Sequence, residues 1–141
     1  MKIVIAGLGS AGRRHLRNLA AAGEKDIRLL RTGRSTLPDS DLAGFETVTS
    51  LEQALEWKPE ALVIANPTAF HLDLAIPAAK AGCHLLIEKP VSHSLEQAQA
   101  LESAVKGSGS RVLVGYQFRF HPGLKKAADL LRQDAIGRPL S

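Results

Sequence analysis

Cysteine is almost missing from this chain. Cys83 stands alone among 141 residues, so no internal disulfide can form, and a reducing compartment, the cytoplasm, is the expected setting. Aromatic residues make up only 4% of the sequence, which leaves few of the stacking platforms that bind single-stranded nucleic acid. No apolar run approaches the roughly 18 residues of a membrane span. The first residues carry no charged leader followed by a cleavage site. No metal site is expected. The net charge is +4, yet the basic residues are dispersed, apart from one group at Arg28, Arg31 and Arg34. Neither a nucleic-acid nor a membrane partner is expected; a phosphate-rich ligand accounts better for the basic balance.

What is present is an alternation. Hydrophobic residues make up 45% and charged residues 23%, an ordinary balance for a globular protein, and the length suffices for a core without disulfides. Apolar strand-type runs cover residues 2–6, 27–31, 45–50, 61–65, 84–89 and 111–116. Helical patterns lie between and after them, over 10–22, 51–57, 69–81, 94–107 and 122–134. The first helix is expected to turn Leu16, Leu19 and Ala20 toward the core and to stop at Gly23. Ser50 with Gln53, and Ser94 with Gln97, have capping-box spacing. Residues 32–45 read as loop. Apolar strands separated by helices predict an α/β fold: a doubly wound parallel sheet in three α/β/α layers, the Rossmann fold, with its ligand at the carboxyl edge of the sheet.

The first strand runs directly into Gly7-x-Gly9-x-x-Gly12. A strand, a glycine turn and a helix in this order form the context in which the fingerprint signals a dinucleotide site. Gly7 permits the tight turn, Gly9 leaves room for a pyrophosphate and Gly12 lets the helix pack closely. Leu8, Ser10 and Ala11 complete the turn, and the helix starting near Ser10 directs its free N–H groups at the phosphates. An acid about 20 residues further on would bind the ribose 2′-hydroxyl of NAD. That region reads Arg31-Thr32-Gly33-Arg34-Ser35 and has no acid. Guanidinium groups pair bidentately with a phosphate dianion, so NADP is expected in preference to NAD. Arg31 and Arg34 would carry the preference, with hydroxyls from Thr32 and Ser35.

Two further strand ends carry polar residues on the same edge. One reads Asn66-Pro67-Thr68, followed by His71; the other reads Glu88-Lys89-Pro90. A lysine there can donate to a reacting hydroxyl or carbonyl. With the glycine fingerprint, PTAFHLDLAIPAAKAGCHLLIEKP (67–90), SLEQAQAL (94–101) and VLVGYQFRFHPGL (112–124), the chain resembles the Gfo/Idh/MocA oxidoreductases over essentially its whole length. The resemblance implies hydride transfer between NAD or NADP and a sugar, inositol or related polyol. It implies that Lys89 reaches the nicotinamide ribose and the substrate, and that Glu88 and Pro90 shape its turn. Asn66, Pro67 and Thr68 would pass beside the nicotinamide half, supported by His71, with Arg119 and Pro122 nearby. Residues 1–120 are then the dinucleotide-binding domain. Residues 121–141 are a connecting helix and the start of a crossover to a second domain, which in the family holds the substrate pocket, the proton-transfer histidine and most of the dimer interface. A homo-oligomer would form through that domain, and the 141 residues alone are expected to be catalytically incomplete. The alternative is a stand-alone, non-catalytic nucleotide-binding or regulatory module.

Overall fold

Runs such as IVIA and ALVI have no polar face to leave in water, so both of their sides must be covered, which places them in the middle of a sheet. The computed structural model, which describes residues 1–31, 38 and 40–138, places them there. Among the described residues the parallel strands are β1 (Ile3–Ala6), β2 (Ile27–Leu30), β3 (Glu46–Val48), β4 (Ala61–Ile64), β5 (His84–Ile87) and β6 (Val112–Val114). Their order is β3-β2-β1-β4-β5-β6, with β1 and β4 side by side at the centre. Ile3 pairs with Ile27 on one flank and with Ala61 on the other. This is the doubly wound order whose reversal between β1 and β4 opens a crevice at the carboxyl edge.

Among the described residues the α-helices are α1 (Ser10–Ala21), α2 (Leu51–Glu56), α3 (His71–Lys80), α4 (Leu95–Ser108) and α5 (Pro122–Arg132). Alternate strand residues feed two cores. Val4, Ala6, Leu62, Ile64, Leu85 and Ile87 face α2, α3 and α4 through Ala54, Leu72, Ala75, Leu101 and Ala104. Ile3, Ile5, Leu29 and Val63 face Leu16 of α1, together with Leu8 and Leu42. The second layer is the thinner one. Leu113 pairs in register with Leu86, on the α1 side of the sheet, and is 67% exposed. Cys83 is buried, its thiol donates to the Pro59 carbonyl at 3.1 Å, and burial pushes its pKa up.

The expected elements are all present, with shifted ends. The helix expected from residue 69 is a 3-10 turn at Thr68–Phe70 followed by α3 from His71. The strand expected over 111–116 spans Val112–Val114, because the chain turns at Gly115. On α1 the expected apolar face is corrected. Ala20 is exposed, Leu19 is half-buried, and Gly12, Arg13 and Leu16 are the buried residues. Arg28 stacks on Trp57, 4.4 Å from the ring centre, and pairs with Glu46 at 2.7 Å.

Candidate functional site

The three glycines between β1 and α1 meet three different surroundings. Gly7 has φ +86°, and a Cβ there would lie 2.3 Å from the Asn66 backbone nitrogen. A Cβ on Gly12 would lie 1.8 Å from the Gly7 carbonyl oxygen. These two positions press the turn against itself and against the exit of β4. A Cβ on Gly9 would meet no atom within 4 Å. Gly9 therefore faces an opening, and it is also the N-cap of α1. No side chain caps this helix, and its first turn contains no acid. The first N–H groups and the positive dipole end are left for an anion.

The exit of β4 contributes an unpaired acceptor. The Asn66 side chain donates Nδ2–H to the Phe70 carbonyl at 3.3 Å, which fixes the amide orientation. Its Oδ1 is then buried without a partner. An acceptor in that state asks for a donor, and it sits on the residue against which the glycine turn packs. Pro67 is exposed and Thr68 half-buried. His71 is 1% exposed. Its Nε2 lies 2.8 Å from the Asn66 carbonyl and its Nδ1 3.0 Å from the Pro90 carbonyl. The ring therefore spans the exits of β4 and β5, and protein groups occupy both nitrogens.

The exit of β5 separates Glu88 from Lys89. Glu88 is 9% exposed, and its carboxylate accepts from Nε2 of His15 at 2.8 Å, with Nη2 of Arg14 at 3.4 Å. Gly115 makes room for it, since a Cβ there would stand 3.1 Å from Oε2. With its carboxylate so held, Glu88 anchors the turn to α1. Lys89 and Pro90, joined by a cis peptide bond, are exposed at the carboxyl edge. A hollow of about 410 Å³ lies beyond them, lined by residues including Pro90, Ser92, His93 and Tyr116. Arg119 is exposed in a 3-10 turn, Gln117–Phe120.

At the other end of the edge, Arg31 follows β2 and is half-buried, its N–H bonded to the Val48 carbonyl. Thr32, Arg34 and Ser35 lie outside the described residues. The residues that sequence reasoning missed are Arg13, Arg14, His15, Asp41 and Gly115. Each acts through a partner distant in the chain, and neither spacing nor composition encodes such a partner. The one available signal was a cluster of three basic residues directly after Gly12.

The arrangement can be set beside known proteins. The model of the Gfo/Idh/MocA oxidoreductase family, with its NAD-binding Rossmann fold, matches residues 1–116. The uncharacterized oxidoreductase YrbE of Bacillus subtilis (strain 168) is 32% identical over 139 residues, 96% of this chain and 41% of its own. Levoglucosan dehydrogenase of Pseudarthrobacter phenanthrenivorans is 36% identical over 100 residues, 70% of this chain and 26% of its own. Among solved structures, the WlbA dehydrogenase from Bordetella pertussis, in complex with NADH and UDP-GlcNAcA, superposes with a TM-score of 0.83 at 27% identity. That match covers 97% of this chain and 43% of the other. The chain thus spans less than half the length of each of these proteins.

Proposed function

Since the chain belongs to the Gfo/Idh/MocA oxidoreductase family, we propose that it forms the cofactor half of an NAD(P)-dependent oxidoreductase acting on a sugar, inositol or related polyol. The cradle fits such a cofactor. Gly9 faces open space, α1 is uncapped, and Asn66 Oδ1 is a buried acceptor without a donor. The opening at Gly9 is the observation that carries the reading: neither a positive φ nor a close contact requires glycine there, while a pyrophosphate needs the space beside it.

When bound, the nicotinamide supplies the hydride chemistry. The chain's part is to bind, orient and handle a proton. Gly7, Leu8, Gly9, Ser10, Ala11 and Gly12 hold the pyrophosphate against α1. Arg31 and Arg34, with Thr32, take the adenosine ribose, and the missing acid makes a 2′-phosphate the better fit. Asn66, Pro67 and Thr68 line the nicotinamide side, held by His71. Lys89, exposed at the carboxyl edge, would hydrogen-bond the nicotinamide ribose and pass a proton to or from the reacting hydroxyl or carbonyl. Arg119 closes that side. The substrate class rests on the family, in which WlbA has been solved with a nucleotide sugar. The 141 residues are proposed to bind cofactor weakly and to turn over little by themselves.

Fluorescence titration with NADPH and with NADH tests this. Saturable binding is expected, tighter for NADPH by about tenfold, the worth of one charge-assisted contact. Arg34→Ala should bring the two cofactors to parity. Lys89→Met should leave the melting temperature unchanged, because its side chain is exposed. Absence of saturable binding to either cofactor overturns the reading. Equal affinities that Arg34→Ala leaves unchanged overturn the NADP preference.

A further inference from the structure

The three basic residues that follow Gly12 find different partners. Arg13 bonds the Leu8 carbonyl at 2.9 Å and the Asp41 carboxylate. Arg14 and His15 both reach Glu88 instead, at the exit of β5. Glu88 comes two residues after Leu86, so strand alternation puts its side chain on the face that α1 covers. Its N–H still donates to the Ile64 carbonyl at 2.9 Å, which extends the ladder by one residue. The carboxylate is 12% exposed, and a charge withdrawn from water needs partners. His15 supplies the closer one, at 2.8 Å from Nε2, and its own side chain is mostly buried. Arg14 stands at 3.4 Å and is half exposed. Packing alone does not call for this arrangement, since Leu16 beside His15 fills the apolar core on the same face. A buried polar pair contributes little net stability over an apolar contact of similar shape, so its consequence is positional.

The residue on the other side of Lys89 is held as well. The Pro90 carbonyl lies 3.0 Å from Nδ1 of His71, which begins α3 on the opposite face of the sheet. Lys89 thus stands between two residues fixed by histidines of two helices, while its own side chain is exposed. One of these helices is α1, whose uncapped N-terminus is the proposed pyrophosphate site and whose second turn carries His15. We propose, resting on the dinucleotide reading above, that His15 is a positioning residue for Lys89. Through the Glu88 carboxylate it ties the backbone of the lysine to the helix that receives the pyrophosphate, and so sets how the lysine reaches the nicotinamide ribose. His15 acts through Glu88 and makes no contact with cofactor or substrate.

The test is a double-mutant cycle. NADPH and NADH affinities are measured by fluorescence titration for the wild type, His15→Leu, Lys89→Met and the double variant, with His15→Gln and circular-dichroism melting curves alongside. Lys89→Met is expected to weaken the better-bound cofactor about tenfold, the worth of one hydrogen bond to a charged group. His15→Leu should weaken it about fivefold where Lys89 is present, and by less than about twofold in the Lys89→Met background. His15→Gln, whose amide N–H can still donate to Glu88, should recover most of the loss; no recovery overturns the inference. So does a His15→Leu effect that is the same in both backgrounds, because a distorted glycine turn or a general loss of stability weakens binding with or without the lysine. An unchanged affinity in His15→Leu overturns it too. If His15→Leu does not fold, Glu88→Ala takes its place in the cycle, since it removes the buried charge itself. Wild-type binding to neither cofactor overturns the dinucleotide reading and the positioning role together. Saturable binding that Lys89→Met leaves unchanged overturns the positioning role and leaves the glycine-turn site standing.

Discussion

Gly7, Gly9 and Gly12 look alike in the fingerprint and differ in what surrounds them. Gly7 combines a left-handed backbone with close contact to Asn66, and Gly12 abuts the Gly7 carbonyl, whereas a Cβ on Gly9 would meet nothing within 4 Å. Alanine substitutions should therefore separate folding from binding. Gly12→Ala forces a methyl into backbone and is expected to cost about 3 kcal/mol in urea denaturation, or to prevent folding. Gly9→Ala, at φ −71°, should stay within about 0.5 kcal/mol of the wild type. Its methyl would still obstruct the proposed pyrophosphate position and weaken NADPH by about tenfold or more. Equal stability loss in the two variants would contradict this division. The glycines were legible in the sequence because each is one residue type with a backbone consequence. The roles of Arg13 and His15 were not, because a basic residue on a helix reads as solvated until its partner is known. Asp41 and Glu88, the partners, lie 28 and 73 residues away.

At the scale of elements, local chemistry was a good guide to where helices begin. The Ser50 hydroxyl accepts from the Gln53 N–H at 3.3 Å, and the Gln53 side chain reaches back to the Thr49 N–H at 3.1 Å. At α4 only half of this pattern forms: the Ser94 hydroxyl accepts from the Gln97 N–H at 3.5 Å, while the Gln97 side chain accepts from the Ser92 hydroxyl at 3.4 Å. Ser50→Ala is expected to cost about 1 kcal/mol, read as a lowered urea midpoint with an unchanged slope. No loss of stability would mean that water replaces the cap at no cost. Strand ends were less legible. The exits of β4 and β5 are tied together by the ring of His71. β6 ends where Gly115 makes room for the Glu88 carboxylate. Both boundaries are set by side chains from other elements, so a strand pattern read along the chain overruns them.

At the scale of the whole molecule, the two sides of the sheet are unequal. One carries α2, α3 and α4; the other carries α1 and leaves Leu113 in the open. Helix α5 has no buried residue, and Tyr116, Phe118 and Phe120 ahead of it are exposed. Deleting residues 117–141 is therefore expected to lower the melting temperature by no more than about 3 °C, corresponding to ~1 kcal/mol for a chain of this size. A larger fall would show that this region contributes to the core. Among the described residues no helix is long and apolar enough to cross a membrane.

Composition, strand–helix alternation and the glycine spacing determined the layered parallel sheet and the place of its glycine turn. These properties are local: a run of apolar residues, a cap or a glycine acts on the chain within a few positions of itself. The tertiary structure alone decided which polar groups meet. It set the Glu88 carboxylate against His15, His71 between two carbonyls, Asn66 Oδ1 without a donor, and Arg13 across to Asp41. Buried polar groups are satisfied by whatever the fold brings near them, and proximity across a sheet edge has no signature in sequence order.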